Sequence, residues 1–164
     1  MTKFKTNLWR FLSQKTVTDF NLVARLNLAI SVALEVDKMH VRTSHRDLKP
    51  SNIMLDATGN WSIIDVGIGR TLGDFNIADL SSGSCGTVAF LAPEQLTCFL
   101  HFKVDIWALG KIIALIIFEW SSGWKLLWSP KFLKPDEINA LGPLVELIDL
   151  IKKMIRVSCH YTYC

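Results

Sequence analysis

Polar residues that could do chemistry lie on both sides of two short apolar runs in the first half of the chain. The stretch before them is His45-Arg46-Asp47-Leu48-Lys49-Pro50-Ser51-Asn52, and the stretch after them is Asp65-Val66-Gly67. If the apolar runs form a β-hairpin, the chain returns to its starting point, and Asp47, Asn52 and Asp65 converge there. Carboxylate and amide oxygens are suitable Mg²⁺ ligands, a carboxylate can also accept a proton, and Lys49 can pair with a phosphate. Taken singly, each residue is more typical of an ordinary turn or a solvated surface, because Asp and Asn favour turns.

The elements that must position these residues can be predicted from the apolar pattern. Residues 53–55 and 61–64 form the arms of the hairpin, and residues 56–60 have the composition of a turn. Helices are predicted near residues 7–14, 104–118 and 143–156, and Thr18 or Asp19 would cap a further, longer helix. The apolar residues at helical spacing in that longer helix are Leu22, Leu26, Ala29, Ile30, Ala33 and Leu34. Residues 67–86 are rich in Gly and Ser, which indicates a long loop.

Charge, hydropathy and cysteine usage exclude several classes of protein. Eighteen basic and fifteen acidic residues leave a net charge of +3, which is too even for a nucleic-acid-binding surface. The longest apolar run, residues 112–118, has seven residues, whereas a bilayer span needs about twenty. The four cysteines form no C-x-x-C pair, which predicts reduced thiols, a cytoplasmic location and no zinc site. His40, His101 and His160 are isolated in the sequence and have no metal-ligand spacing.

Five short motifs follow one another in an order that resembles a known family. After the two stretches given above come Gly86-Thr87, Ala92-Pro93-Glu94 and Asp105-Ile106-Trp107-Ala108-Leu109-Gly110. The first stretch resembles the catalytic loop H-R-D-L-K-P-x-N of eukaryotic protein kinases, and the next three resemble D-F-G, the substrate-docking loop and A-P-E. The fifth resembles D-x-W-x-x-G at the start of the family's buried central helix. The resemblance covers residues 3–155 and implies the large, C-terminal lobe of a protein kinase, mainly α-helical with a small β-hairpin.

The resemblance implies specific catalytic roles for four residues. Asp47 would orient the acceptor hydroxyl and take its proton, and Lys49 would neutralise charge on the transferred phosphoryl group. Asn52 and Asp65 would hold Mg²⁺ on the phosphates of ATP. Lys49 two residues after Asp47, followed by Pro50, resembles Ser/Thr kinases rather than Tyr kinases.

The same resemblance implies substrate-docking, regulatory and structural residues. Thr87 would bond Asp47 and Lys49 and help seat the substrate, although alone it could be a plain loop threonine. Arg46 would pair with a phosphate on the activation segment, because a phosphate opposite an arginine forms charge-assisted hydrogen bonds. The nearest candidate phosphorylation sites are Ser82 and Ser84, which could equally be inert loop residues. The residues implied as structural are His45, Gly67, Glu94 and Asp105. Asp105 would accept backbone N–H groups of the catalytic loop, serve as a helix N-cap, or do both.

The resemblance implies one truncated kinase-like domain over residues 1–164. Its parts are a hinge and first helix (1–12), a catalytic loop and metal-binding hairpin (45–67), an activation segment (65–94) and C-terminal helices (104–164). The sequence contains neither the Gly-rich phosphate loop nor the strand lysine and its glutamate partner that the smaller lobe supplies in this family. The chain is therefore expected to begin at the hinge and to lack half of the nucleotide cleft. Val66 also replaces the Phe of D-F-G.

The implied function is ATP- and Mg²⁺-dependent phosphoryl transfer to Ser or Thr of a protein substrate, provided that an N-terminal lobe complements the chain. Two alternatives stay open: a pseudokinase or decoy that binds a regulatory protein without catalysis, and a gene fragment whose product includes the other lobe. Apolar surface at an open cleft predicts self-association or a covering partner. Otherwise Phe4, Trp9 and the 67–86 loop would fold over the cleft. Neither a nucleic-acid partner nor a membrane span is expected.

Overall fold

A computed structural model describes residues 3–14, 20–66, 89–93, 103–118 and 144–155. The elements in chain order are β1 (Phe4–Asn7), α1 (Leu8–Ser13), α2 (Leu22–His40), a 3-10 turn (Pro50–Asn52), β2 (Ile53–Asp56), β3 (Trp61–Ile63), α3 (Lys103–Ile117) and α4 (Val145–Met154). The fold class predicted from the sequence, mainly α with a small hairpin, is confirmed. All four predicted helices are present within a few residues of their expected bounds.

The hairpin forms where the sequence predicts it, and a third strand joins it. β2 pairs antiparallel with β3, Ile53 opposite Ile63 and Leu55 opposite Trp61. In the connecting turn one carboxylate oxygen of Asp56 accepts hydrogen bonds from the backbone N–H groups of Thr58 and Asn60, at 2.8 and 2.9 Å. The φ of Gly59 in this turn is +93°, a value that side-chain-bearing residues rarely adopt. β1, which the sequence analysis did not predict, pairs antiparallel with the other edge of β2.

Asparagine side chains cap the N-termini of the first two helices. The side-chain oxygen of Asn7 accepts a hydrogen bond from the backbone N–H of Arg10 at 2.8 Å, and that of Asn21 accepts one from Ala24 at 2.9 Å. The prediction that Thr18 or Asp19 caps α2 is therefore wrong. Asn is among the best N-cap residues, and Asn21 directly precedes the first helical residue.

The buried face of α2 differs from the predicted one. Leu22, Ile30 and Leu34 are 42%, 56% and 54% exposed, although the sequence pattern placed them on the apolar face. The residues that α2 buries are Arg25, Leu28, Ala29, Val32 and Val36. Apolar residues occur around most of this helix, so periodicity alone does not select a face. Packing against α3 selects it, because α2 and α3 form one of the two largest element contacts in the described chain.

α3 is the central element of the core. Nearly every residue from Val104 to Ile117 is buried, as expected for a helix that is apolar on all sides. α2 packs on one part of its surface and α4 on another. A Cβ on Gly110 would lie 2.9 Å from the Cβ of Met154, so this glycine permits the close approach of α3 and α4. Within the described ranges, no helix has the length and apolar character needed to cross a membrane.

Candidate active site

Asp105 anchors the loop that carries the predicted catalytic residues. It lies in the first turn of α3 and is completely buried. One carboxylate oxygen accepts a hydrogen bond from the backbone N–H of His45 and the other accepts one from Arg46, both at 2.7 Å. These are the bonds that the resemblance implies for Asp105. The helix already includes Lys103, so Asp105 is not its N-cap.

His40 contacts Asp105, and the sequence alone did not predict this contact. Its Nε2 lies 3.0 Å from Oδ2 of Asp105, so His40, although isolated in the sequence, has a partner in the fold. The two residues are 65 positions apart in the chain, and they meet because α2 ends beside the first turn of α3. No spacing rule links residues so distant. The only signal in the sequence is that His40 ends the helix that leads into the catalytic loop.

His45 joins the start of the catalytic loop to the far end of the hairpin. The side chain is buried, with Nε2 2.9 Å from the carbonyl oxygen of Ile64, while Nδ1 accepts a hydrogen bond from the backbone N–H of Asp47 at 3.2 Å. Since a carbonyl can only accept, these partners assign the proton to Nε2. Both ring nitrogens therefore have partners, and the ring holds the two segments together.

Asp47, Lys49 and Asn52 are brought together by the turn at residues 50–52. The ammonium of Lys49 lies 2.7 Å from Oδ2 of Asp47, and each side chain of this pair is about one-fifth exposed. The Nδ2 of buried Asn52 donates to the backbone carbonyl of Asp47 at 2.9 Å, which leaves the amide oxygen of Asn52 to bind a cation. The backbone carbonyl of Asn52 accepts from the N–H of Ile64 at 2.9 Å. The two ends of the hairpin are therefore adjacent.

Asp65 follows Ile64 directly and is exposed. Its φ is +58°, and that of Arg46 is +69°, so two side-chain-bearing residues of this region lie in the left-handed conformation. Such conformations cost free energy and cluster at functional sites. An exposed carboxylate and an amide oxygen are hard donors that suit Mg²⁺, which usually keeps several water or phosphate ligands. Among the described residues no group of three or more His, Cys, Asp or Glu side chains could hold a metal ion.

A short piece of the predicted activation segment packs on α3 beside this loop. Ala89, Phe90 and Ala92 are buried, and Ala92 contacts Val104 and Trp107. The other predicted residues of the segment lie outside the described residues. They are Gly67, Ser82, Ser84, Thr87 and Glu94. Their implied roles therefore stay predictions.

Comparison with known proteins shows which family the chain belongs to. A family profile described as the protein kinase domain matches residues 2–125. The chain belongs to the protein kinase family. This kinase-like chain is 32% identical over 146 residues to a cAMP-dependent protein kinase catalytic subunit of Arthrobotrys oligospora, covering 77% of the chain and 26% of that relative. It is 30% identical over 142 residues to the human serine/threonine-protein kinase 32B, covering 82% of the chain and 30% of the relative.

The similarity to other relatives is higher but shorter. A CBL-interacting serine/threonine-protein kinase 15 of Arabidopsis thaliana is 41% identical over 86 residues, which covers 50% of the chain and 20% of the relative. These relatives support a eukaryotic Ser/Thr protein kinase-like chain. In each of the three, the match spans less than a third of the relative's length.

Proposed function

We propose that this chain carries the substrate- and metal-binding side of a Ser/Thr protein kinase active site and takes part in phosphoryl transfer from ATP to a protein hydroxyl. The observation that carries the proposal is the packed arrangement of Asp47, Lys49 and Asn52, which buried Asp105 holds through the loop backbone. Phosphoryl transfer depends mainly on positioning and on charge stabilisation, so a rigid loop with these groups is what the reaction requires.

Asp47 acts on the acceptor. Its carboxylate orients the Ser or Thr hydroxyl and accepts the proton as the oxygen attacks phosphorus. Lys49 begins paired with this carboxylate at 2.7 Å, and its flexible ammonium then stabilises negative charge on the transferred group. Because both side chains are about four-fifths buried, their charges are less screened than surface charges.

Asn52 and Asp65 provide oxygen ligands for Mg²⁺, which supplies charge neutralisation on the ATP phosphates when it is bound. Asn52 is oriented by its bond to the carbonyl of Asp47, so its oxygen is fixed relative to the proton acceptor. Asp65 is exposed and can turn towards a cation without breaking a bond seen among the described residues.

A complementing lobe belongs to this proposal. The sequence contains no G-x-G-x-x-G stretch, so residues that cover the ATP phosphates must come from another segment. An open, wet cleft weakens each electrostatic contribution to transfer. The chain alone is therefore expected to transfer phosphate slowly and to accelerate when a kinase small lobe is supplied.

A second candidate is a kinase-like binding module without catalysis. The observation that favours it is exposed apolar surface beside the site, including Val41 at 81% and Val66 at 39% exposure. Such a module would use Asp47 only structurally. Its binding to a regulatory protein would then survive replacement of Asp47 by asparagine.

The test is transfer of radiolabelled phosphate from Mg-ATP to a Ser/Thr peptide mixture, with the chain alone and with a recombinant small lobe from a relative. Asp47→Asn should lower transfer by about 10²- to 10⁴-fold while leaving the fold nearly intact. Asp149→Asn is the matched control, since Asp149 is an exposed carboxylate of α4. Equal transfer by the wild type and Asp47→Asn would contradict the catalytic proposal.

A further inference from the structure

α2 carries a second apolar stripe on the side opposite the face that it buries against α3. Val23, Ile30 and Leu34 project from this opposite side, and each is more than half exposed. Val41 follows the helix directly, keeps helical backbone angles and continues the stripe into solvent. A helix with a single packing partner normally presents polar residues on its other side. The second stripe therefore indicates a second partner for α2.

The stripe has the spacing that pairs helices side by side. Paired helices use two positions of a seven-residue repeat, alternately three and four residues apart. Six residues of this region follow that spacing, and every one of them is exposed. They are Val23, Asn27, Ile30, Leu34, Asp37 and Val41, and they are called the α2 seam below. Within the described part of the chain, the side chains of Asn27 and Asp37 form no hydrogen bond or ion pair.

The α2 seam is symmetric about Val32. Its members form three pairs whose two residues lie nine, five and two positions from Val32, and these are Val23 with Val41, Asn27 with Asp37, and Ile30 with Leu34. A two-fold axis at this point would place each residue opposite its counterpart in an antiparallel second copy. Apolar residues then face apolar residues, and the amide NH₂ of asparagine faces a carboxylate that can accept its hydrogen bond. A parallel pair would instead bring two Asp37 carboxylates together.

The α2 seam extends away from the catalytic cleft. α2 ends beside the catalytic loop, and a rise of about 1.5 Å per residue puts Val23 about 27 Å from Val41. A lobe that covers the cleft lies at the Val41 end and leaves Val23, Asn27 and Ile30 uncovered. Because antiparallel helices run in opposite directions, the two catalytic loops of such a pair lie at opposite ends, and both clefts stay open.

We propose that α2 forms a two-fold symmetric, antiparallel helix pair with α2 of a second copy of this chain. Ile30 packs on the partner's Leu34, Val23 packs on the partner's Val41, and Asn27 donates to the partner's Asp37. This inference concerns assembly and goes beyond the proposed phosphoryl transfer, because the α2 seam includes no residue of the catalytic loop or metal site. A single helix pair makes a small interface, so we expect a micromolar dissociation constant.

The test is sedimentation velocity of the full chain at concentrations up to about 0.5 mM, with circular dichroism to verify the fold of each variant. The wild type should change from monomer to dimer in the micromolar range. Ile30→Glu should raise the dissociation constant about tenfold or more, because it buries an unpaired carboxylate at the centre of the α2 seam. Leu150→Glu is the matched control, since Leu150 is a half-exposed residue of α4, and it should dimerise as the wild type does.

Two substitutions of Asn27 test the antiparallel register. Asn27→Lys places an ammonium opposite the partner's Asp37 and should strengthen the dimer by about two- to fivefold. Asn27→Asp places two carboxylates opposite one another and should weaken it by about the same factor. In a parallel pair residue 27 would face its own copy, so both substitutions would weaken the dimer.

Three results would overturn the proposal on their own. They are a wild type that stays monomeric throughout this range, an Ile30→Glu variant that dimerises unchanged, and an Asn27→Lys variant that dimerises more weakly. Association that is abolished by Val66→Glu but kept in Ile30→Glu would also overturn it, by assigning the contact to the apolar surface at the cleft.

Discussion

Replacing Asp105 by alanine removes the group that holds the catalytic loop on α3. The carboxylate is completely buried and accepts hydrogen bonds at 2.7 Å from the backbone N–H groups of His45 and Arg46. A hydrogen bond to a charged group contributes about 1.5–3 kcal/mol, so the loss of two predicts a decrease of about 3–6 kcal/mol in the free energy of unfolding. Loss of the 3.0 Å contact with His40 adds to it.

This decrease is large relative to the whole stability of a small domain, about 5–15 kcal/mol. Asp105→Ala should therefore be partly or fully unfolded, whereas Asp105→Asn should stay folded at an intermediate stability. The amide oxygen of asparagine can accept one of the two bonds, but its NH₂ group faces the second N–H donor. The expected order of stability is wild type, Asp105→Asn, then Asp105→Ala.

The assay is equilibrium unfolding in urea, followed by tryptophan fluorescence and circular dichroism. Asp149→Ala is the control, because the side chain of Asp149 is 61% exposed and its Lys152 partner lies at 3.7 Å. Surface substitutions of this kind change stability by about 0.5 kcal/mol or less. A loss below about 1 kcal/mol for Asp105→Ala would refute the view that this carboxylate holds the loop.

Two further predictions concern α3. Burial lowers the pKa of Lys111 to about 8, so between pH 8 and 10.5 the unfolded chain binds a proton that the folded chain has lost, and stability rises with pH. Lys111→Met should therefore flatten this rise. Lys103→Met, at an exposed position, should leave the rise unchanged when urea unfolding is compared at pH 7 and 9.5. Gly110→Ala should lower the midpoint of thermal unfolding, because the added Cβ would lie 2.9 Å from the Cβ of Met154. Such overpacking costs about 1–3 kcal/mol, which exceeds the gain in helix propensity from replacing glycine by alanine. An unchanged or higher midpoint would contradict this packing.

The parts of the fold that depend on local sequence were predictable. The turn at residues 56–60 is determined by its own side chains, because Asp56 bonds two nearby backbone N–H groups and Gly59 takes the left-handed conformation. α3 was predictable because it is apolar on all sides. The proximity of Asn52 to Ile64, and so to Asp65, follows from the hairpin between them.

The parts that depend on distant packing were not predictable. β1 has four residues without an apolar-polar alternation, and it is a strand because β2 provides its pairing partner. The buried face of α2 is selected by α3, since apolar residues such as Ile30 lie on its exposed side as well. The contact between His40 and Asp105 requires two helix ends to meet, and no local pattern specifies that meeting.

The central claim is that Asn52 and Asp65 form the metal-binding side of a nucleotide site. Calorimetric titration of the chain with a non-hydrolysable ATP analogue, with and without Mg²⁺, tests this claim most directly. We expect weak, millimolar binding that requires Mg²⁺, is lost in Asp65→Ala and is kept in the control Asp149→Ala. Binding of equal strength without Mg²⁺ or in Asp65→Ala, or no binding at millimolar nucleotide, would contradict the claim.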